Sequence, residues 1–371
     1  MGIKQKETGT RTRLLRGWLF LFVAVAASTT CRAEEITPLT ISRLIDQRLE
    51  VNNTDDSQFA SDTEFLRRTT LDLAGRIPTI VEVHEYLSNT SEFRRSEAIS
   101  RLMHSGVHYR NMATFWRRAW VPQADTPEFD SVTGDFEQWL VHRLQKGARY
   151  DELVTEIMTL DHSRIAPAST TPVGFYVANQ SKPENLAASA TRAFLGLNLD
   201  CAQCHDHPFS RWSREQFWQT AAFFARPETD DKNIPQLPRV RIPDTNLEYG
   251  PTLLTRTEFP RPQKLDSVSL RLILVDWMKE DQERLLAKNA VNRLWAHFFG
   301  EAIIEPMDDL SHDKFQTGDR TRLLNELSAA FITSGYNLNV LVEGIAGSHA
   351  YRLASSTPGI VLSTTVETAK K

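Results

Sequence analysis

Apolar residues recur three or four positions apart along most of the chain, beginning with Ile41, Leu44, Ile45 and Leu49. This spacing predicts amphipathic α-helices. The motifs Thr79-x-x-Glu82 and Ser213-x-x-Gln216 are capping boxes, which predict the first turns of two of them. We expect helices over residues 41–49, 79–87, 91–104, 108–119, 133–146, 150–160 and 213–224, and a longer helix from about residue 183 into the paired cysteines at 201 and 204.

The apolar pattern stops after residue 226 and resumes near residue 265. The intervening segment 227–264 carries seven prolines, which predicts an extended linker with room for a short hairpin. Helices are expected again around 270–277, 286–298, 323–331 and 338–346, and Gly300 should end the second of these. The prediction is a mainly α fold with two helical domains, 34–226 and 265–356, joined by the proline-rich linker. Residues 357–371 are expected to form a disordered tail.

The first 33 residues have the pattern of a signal peptide. Basic residues precede a short apolar run, Trp18–Ala27, and Cys31-Arg32-Ala33 offers a cleavage site. The run is short for a bilayer span, although an uncleaved anchor is the alternative. We therefore expect export to the periplasm or the extracellular space, with no membrane span left after cleavage.

Charge narrows the set of partners. Cleavage removes six Lys or Arg and one acid, so the formal net charge changes from −4 to −9. Nucleic acids and anionic membranes bind basic surfaces, which argues against both as general partners. A redox partner or another protein remains open.

Cys201 and Cys204 are the only cysteines left after cleavage, since Cys31 lies in the signal segment. A disulfide between them would close a very small loop and stabilise the fold little. If the preceding helix continued, Cys201, Cys204 and His205 would share one face with Phe194 and Leu197. Cys-x-x-Cys-His is the attachment motif of haem c, in which the thiols bind the porphyrin and His205 binds iron.

Two other interpretations of the motif stay open. In one, Cys201 and Cys204 form a disulfide and the protein is an exported interaction module without haem. In the other, a metal-dependent enzyme uses His205, His207 and remote carboxylates. Asp206 and His207 either orient His205 through hydrogen bonds or simply form a polar turn before Pro208. No sixth iron ligand is singled out, and no enzymatic motif is recognisable.

A second group of polar residues lies in the expected helix near 286–298. Asn289, Arg293 and His297 are spaced by four, and Asp308 and Asp309 follow. They could form a site for an anion or a metal. We favour the simpler interpretation, an exposed helix face followed by a capping aspartate pair.

Several segments of the sequence also resemble a known family. Residues 65–79 and 194–209, with Trp212, resemble the planctomycete cytochrome-c-like domain of unknown function over roughly 36–226. Residues 291–300, 305–309, 323–327 and 351–355 resemble its usual partner domain, also of unknown function, in a copy that looks truncated. The resemblance implies an exported protein that carries electrons or belongs to an oxidative system.

Overall fold

The computed structural model describes residues 35–51, 58–161, 170–255, 262, 264–310 and 318–355. The predicted signal peptide and tail lie outside these residues. Fifteen α-helices account for most of the described chain, so the mainly α prediction is confirmed. They are Pro38–Arg48 (α1), Asp62–Ala74 (α2), Ile80–Ser88 (α3), Arg94–Met103 (α4), Gly106–Trp120 (α5), Asp130–Gln145 (α6), Tyr150–Met158 (α7), Val173–Ala178 (α8), Pro183–Ala190 (α9), Arg214–Ala221 (α10), Ser267–Glu280 (α11), Leu285–Phe299 (α12), Asp319–Thr333 (α13), Leu338–Gly347 (α14) and His349–Arg352 (α15).

Local signals in the sequence set several helix ends. The Thr79 hydroxyl accepts the Glu82 backbone N–H at 3.2 Å, and the Glu82 carboxylate accepts the Thr79 N–H at 2.8 Å. Ser213 and Gln216 make the same reciprocal pair at the start of α10. Both predicted capping boxes are confirmed. Gly300 ends α12 with a φ of 78°, a conformation that glycine adopts at little cost.

The proline-rich segment packs against the helices. It contains two short antiparallel pairs, Glu228–Thr229 (β1) with Pro235–Gln236 (β2), and Val240–Arg241 (β3) with Glu248–Tyr249 (β4). Ile242, Leu253 and Leu254 are buried. The Gln216 side chain donates to the Leu254 carbonyl at 3.2 Å. The described part of this segment, up to residue 255, therefore packs into the core.

The two helical regions share one core. From Glu35 onward the described chain forms one compact unit. Helix α1 packs on α14, where the Ser42 hydroxyl donates to the Gly344 carbonyl at 2.7 Å. Arg271 of α11 donates from Nε to the Met158 carbonyl of α7 at 2.6 Å. Helices from the two predicted helical domains therefore complete each other's apolar faces within one unit.

Aromatic side chains fill the core next to the cysteine motif. The Trp116 and Trp120 rings stack with centroids 5.1 Å apart, and Trp120 meets Phe194 at 5.7 Å. Phe194 lies only a few residues before Cys201 and is fully buried. The chain thus enters the motif from a fixed point in the core. Among the described helices, none is both long enough and apolar enough to cross a membrane.

Candidate functional site

The helix before the motif ends earlier than the sequence predicts. Helix α9 passes into a π-helical turn, Thr191–Leu195, and Gly196 stops it in the left-handed conformation with a φ of 62°. Cys201 lies beyond this stop. The prediction that one helix carries both cysteines and His205 on a single face is therefore wrong, since a left-handed glycine reverses the chain before the cysteines are reached.

A side chain from α12 holds this helix end. The Leu197 N–H bonds to the Thr191 carbonyl, so the Ala193 carbonyl loses the donor that a regular helix would supply. The Asn289 amide replaces it at 2.7 Å. Gly196 makes room for this contact, because a Cβ on it would lie 3.0 Å from the Asn289 oxygen. The position of the motif thus depends on a residue far along the chain.

The motif itself forms a short 3₁₀ turn, Asp200–Gln203. Ala202 is fully buried, and the Trp218 indole N–H donates to the Gln203 carbonyl at 3.0 Å. Cys201 and Cys204 flank this anchored centre as free thiols, and both are exposed. The turn therefore presents both sulfur atoms on the surface from a fixed backbone.

His205 is exposed, and its ring is oriented by the next residue. Nδ1 lies 2.8 Å from the Asp206 carbonyl oxygen. A carbonyl oxygen only accepts, so Nδ1 carries the proton in this bond, and in the neutral ring the lone pair then lies on Nε2. The Asp206 carboxylate has a different partner, the Arg214 N–H at the start of α10, at 2.8 Å. Asp206 thus orients His205 through its backbone and not through its side chain.

His207 belongs to the turn that follows the motif. Its N–H donates to the Trp212 carbonyl at 2.8 Å, and its Nδ1 accepts the Phe209 N–H at 3.2 Å. The polar-turn interpretation fits these bonds. Within the described residues, no group of three or more His, Cys, Asp or Glu side chains is arranged to hold a metal ion. The interpretation as a protein-ligated metal site therefore gains no geometric support.

The polar stripe of α12 is buried, contrary to the interpretation favoured from the sequence. Asn289 is 0% exposed and Arg293 is 7% exposed. Arg293 donates from Nε to the Asn289 oxygen at 3.0 Å and from Nη2 to the Arg192 carbonyl at 3.2 Å. His297 donates from Nε2 to the Asp72 carbonyl at 2.8 Å. The exposed-face prediction is wrong because helices from the first region cover this side of α12.

Burial and a neighbouring charge act on the pKa of Arg293 in opposite directions. Burial lowers the pKa of Arg293, and the nearby charge of Asp308 opposes that shift.

The Asp309 N–H bonds to the Pro306 carbonyl at 3.1 Å, inside the segment that follows α12, and the start of α13 at Gly318 has no side-chain cap. The aspartate pair therefore does not cap that helix.

Sequence reasoning missed that the stripe and the cysteine motif are connected. Arg192 accepts a bond from Arg293 through its carbonyl, and its guanidinium forms an ion pair with Asp200 at the start of the motif turn. The available signal was the spacing itself. Polar residues spaced by four in a mostly apolar helix need hydrogen-bond partners if their side of the helix is covered.

Family models match both parts of the chain. The model described as a protein of unknown function, DUF1549 and named PSCyt2, matches residues 40–229, more than half of the sequence. The chain belongs to this family. A second model, DUF1553 or PSD1, also described as a protein of unknown function, matches residues 270–364. Their order agrees with the resemblance noted in the sequence. No curated protein and no solved structure matches the chain significantly.

The contacts that support the cysteine turn connect the two matched family segments. The cysteine turn lies in the DUF1549 segment, and the Asn289 and Arg293 side chains that support it lie in the DUF1553 segment. One family segment therefore helps to shape the candidate site of the other.

Proposed function

We propose that this protein is exported and carries one haem c, bound covalently by Cys201 and Cys204 with His205 as an iron ligand, and that it transfers electrons. The observation that carries the proposal is the bond from His205 Nδ1 to the Asp206 carbonyl at 2.8 Å. Histidines that bind metals usually donate their second ring N–H to a carbonyl or carboxylate, which fixes the ring and leaves the other nitrogen for the metal. The His205 ring has this arrangement, with Nδ1 on the Asp206 carbonyl.

The two cysteines support the same proposal. Thioether bonds form only when both thiols can be reached, and Cys201 and Cys204 are both exposed and unpaired with each other. Buried Ala202 and the Trp218 bond to Gln203 hold the backbone between them. A bound haem would supply a one-electron iron couple at this surface. Ala202 and Trp218 hold the backbone that carries the two thiols, and the Asp206 carbonyl orients the His205 imidazole.

The test is a pyridine haemochrome spectrum of the protein produced with its leader in cells that contain cytochrome c maturation machinery. We expect one covalent haem per chain in the exported fraction. The double variant Cys201→Ser, Cys204→Ser should carry none, and the control Phe209→Ala, at an exposed position two residues past His207, should keep it. Well-folded exported wild-type protein without a covalent haem band would overturn the proposal.

A second candidate is an exported interaction module without haem, with a Cys201–Cys204 disulfide. The observation that favours it is the exposure of both thiols in an oxidising compartment, where such a pair is open to oxidation. Titration of thiols before and after reduction distinguishes the two. This candidate expects two additional thiols after reduction and no haem band, whereas thioether bonds would leave no thiols to titrate.

A further inference from the structure

A cavity of about 350 Å³ lies between α5 and α12, where the two family segments meet. Its polar lining includes Arg118, Arg293 and His297, and its apolar lining includes Phe115, Ala119 and Met307. The volume lies at the small end of the range of about 300–1,000 Å³ for pockets that bind small molecules. The combination of a few charged groups with an apolar wall is typical of such sites.

Arg293 brings a buried positive charge to this cavity. Its side chain is 7% exposed, and its hydrogen bonds go to two neutral acceptors, the Asn289 side-chain oxygen and the Arg192 carbonyl. No carboxylate of the described residues lies within ion-pair distance of it. Desolvation of this guanidinium is repaid only in part, because the Asp308 carboxylate acts on it from beyond ion-pair distance and no negative charge of the described residues touches it. An anion in the cavity would supply that charge.

The other polar groups limit the anion to a single charge. Arg118 is largely exposed, and the Asp125 carboxylate lies 3.9 Å from it, so its charge is screened and already has a partner. The His297 Nε2–H is used by the Asp72 carbonyl. Arg293 is thus the guanidinium of this lining that has no ion pair among the described residues, and one such group matches a monoanion.

The apolar wall indicates an organic anion. The Phe115 ring packs on His297 with centroids 4.9 Å apart, and Ala119 and Met307 extend the same surface. Small inorganic anions gain nothing from such a wall, whereas an organic anion gains free energy when its hydrocarbon body is buried there. We propose that this cavity binds a small organic monocarboxylate, with the carboxylate on Arg293 and the apolar body against Phe115, Ala119 and Met307. This site is separate from the cysteine turn and does not depend on haem attachment.

Benzoate is a suitable probe, measured by isothermal titration calorimetry and saturation-transfer NMR on the full chain after export. We expect saturable binding of one benzoate per chain, at least tenfold weaker binding of benzyl alcohol, which has the ring without the charge, and at least tenfold weaker binding of inorganic phosphate. Equal binding of benzoate and benzyl alcohol, or of benzoate and phosphate, would overturn the proposal.

Two variants test whether benzoate binds in this cavity. Arg293→Met removes the charge and keeps the length of the side chain. Ala119→Leu fills the cavity from α5 and leaves Arg293 in place, so it remains informative if Arg293→Met fails to fold. Both should weaken benzoate binding at least tenfold, and Arg101→Met, at an exposed position on α4 outside the cavity, should not. Unchanged benzoate affinity in Ala119→Leu would overturn the assignment to this cavity.

Discussion

His205 and His207 are two positions apart but have different environments. The His205 ring is exposed, and its Nδ1 donates to the Asp206 carbonyl. His207 is partly buried, and its Nδ1 accepts the Phe209 N–H inside the following turn. The Cys-x-x-Cys-His motif includes His205 and not His207, and the hydrogen bonds of the two rings differ in the same way.

This difference predicts distinct outcomes for two matched variants. His205→Ala should retain both thioether anchors and lose one iron ligand, which shifts the Soret band of any attached haem. His207→Ala should leave the spectrum unchanged and lower the free energy of unfolding by about 1 kcal/mol, the usual contribution of one hydrogen bond. Absorption spectra and urea unfolding of both variants check this. Identical spectra of the two variants would contradict the role given to His205.

At the scale of elements, the critical feature is the end of the helix that precedes the motif. Apolar spacing continues past residue 195 and predicts more helix, but the chain forms a π turn and stops at Gly196. The apolar spacing does not show this end. A glycine within a helical pattern is only a candidate stop, and the bond that satisfies the freed Ala193 carbonyl comes from Asn289, 96 residues away. The capping boxes at Thr79 and Ser213 were predictable because both partners lie three residues apart.

Gly196→Ala should cost more than Gly300→Ala, although both glycines have positive φ. An alanine in the left-handed region costs about 1–2 kcal/mol at either position. At Gly196 the new Cβ would also lie 3.0 Å from the Asn289 oxygen and 3.1 Å from the Leu310 side chain, whereas at Gly300 nothing lies within 4 Å. We expect a total loss of about 2–4 kcal/mol for Gly196→Ala. Urea unfolding of the two variants measures the difference, and equal losses would show that the Asn289 contact is not tight.

At the scale of the whole molecule, the first and last helical regions are one packing unit. Helix α1 lies so close to α14 that a Cβ on Gly344 would be 2.4 Å from the Ile41 Cβ. The Asp46 carboxylate accepts the His349 and Ala350 N–H groups of α15, each at 3.0 Å. The start of the DUF1549 segment is therefore held by the DUF1553 segment, and neither presents a complete core by itself.

Gly344→Ala tests this close packing, with Gly134→Ala as its matched control. Both are helical glycines with ordinary φ, but Gly134 on α6 is exposed and has nothing within 4 Å of a new Cβ. Gly134→Ala should stabilise the protein by up to about 1 kcal/mol. Gly344→Ala should destabilise it by about 1–3 kcal/mol, because α1 and α14 must move apart. The midpoints of urea unfolding decide the sign, and a gain in stability at Gly344 would contradict the close approach.

The sequence by itself determined the helical class of the fold, most helix positions and both capping boxes, and it singled out Cys201, Cys204 and His205 as the candidate site. These follow from interactions within a few residues, which the spacing of side chains records directly. Only the tertiary structure decided where the helix before the cysteines ends, that Asn289 and Arg293 are buried, and that both regions share one core. Those features depend on groups that meet across about a hundred residues or more of chain, and no local pattern specifies which distant carbonyl or apolar face a side chain will meet.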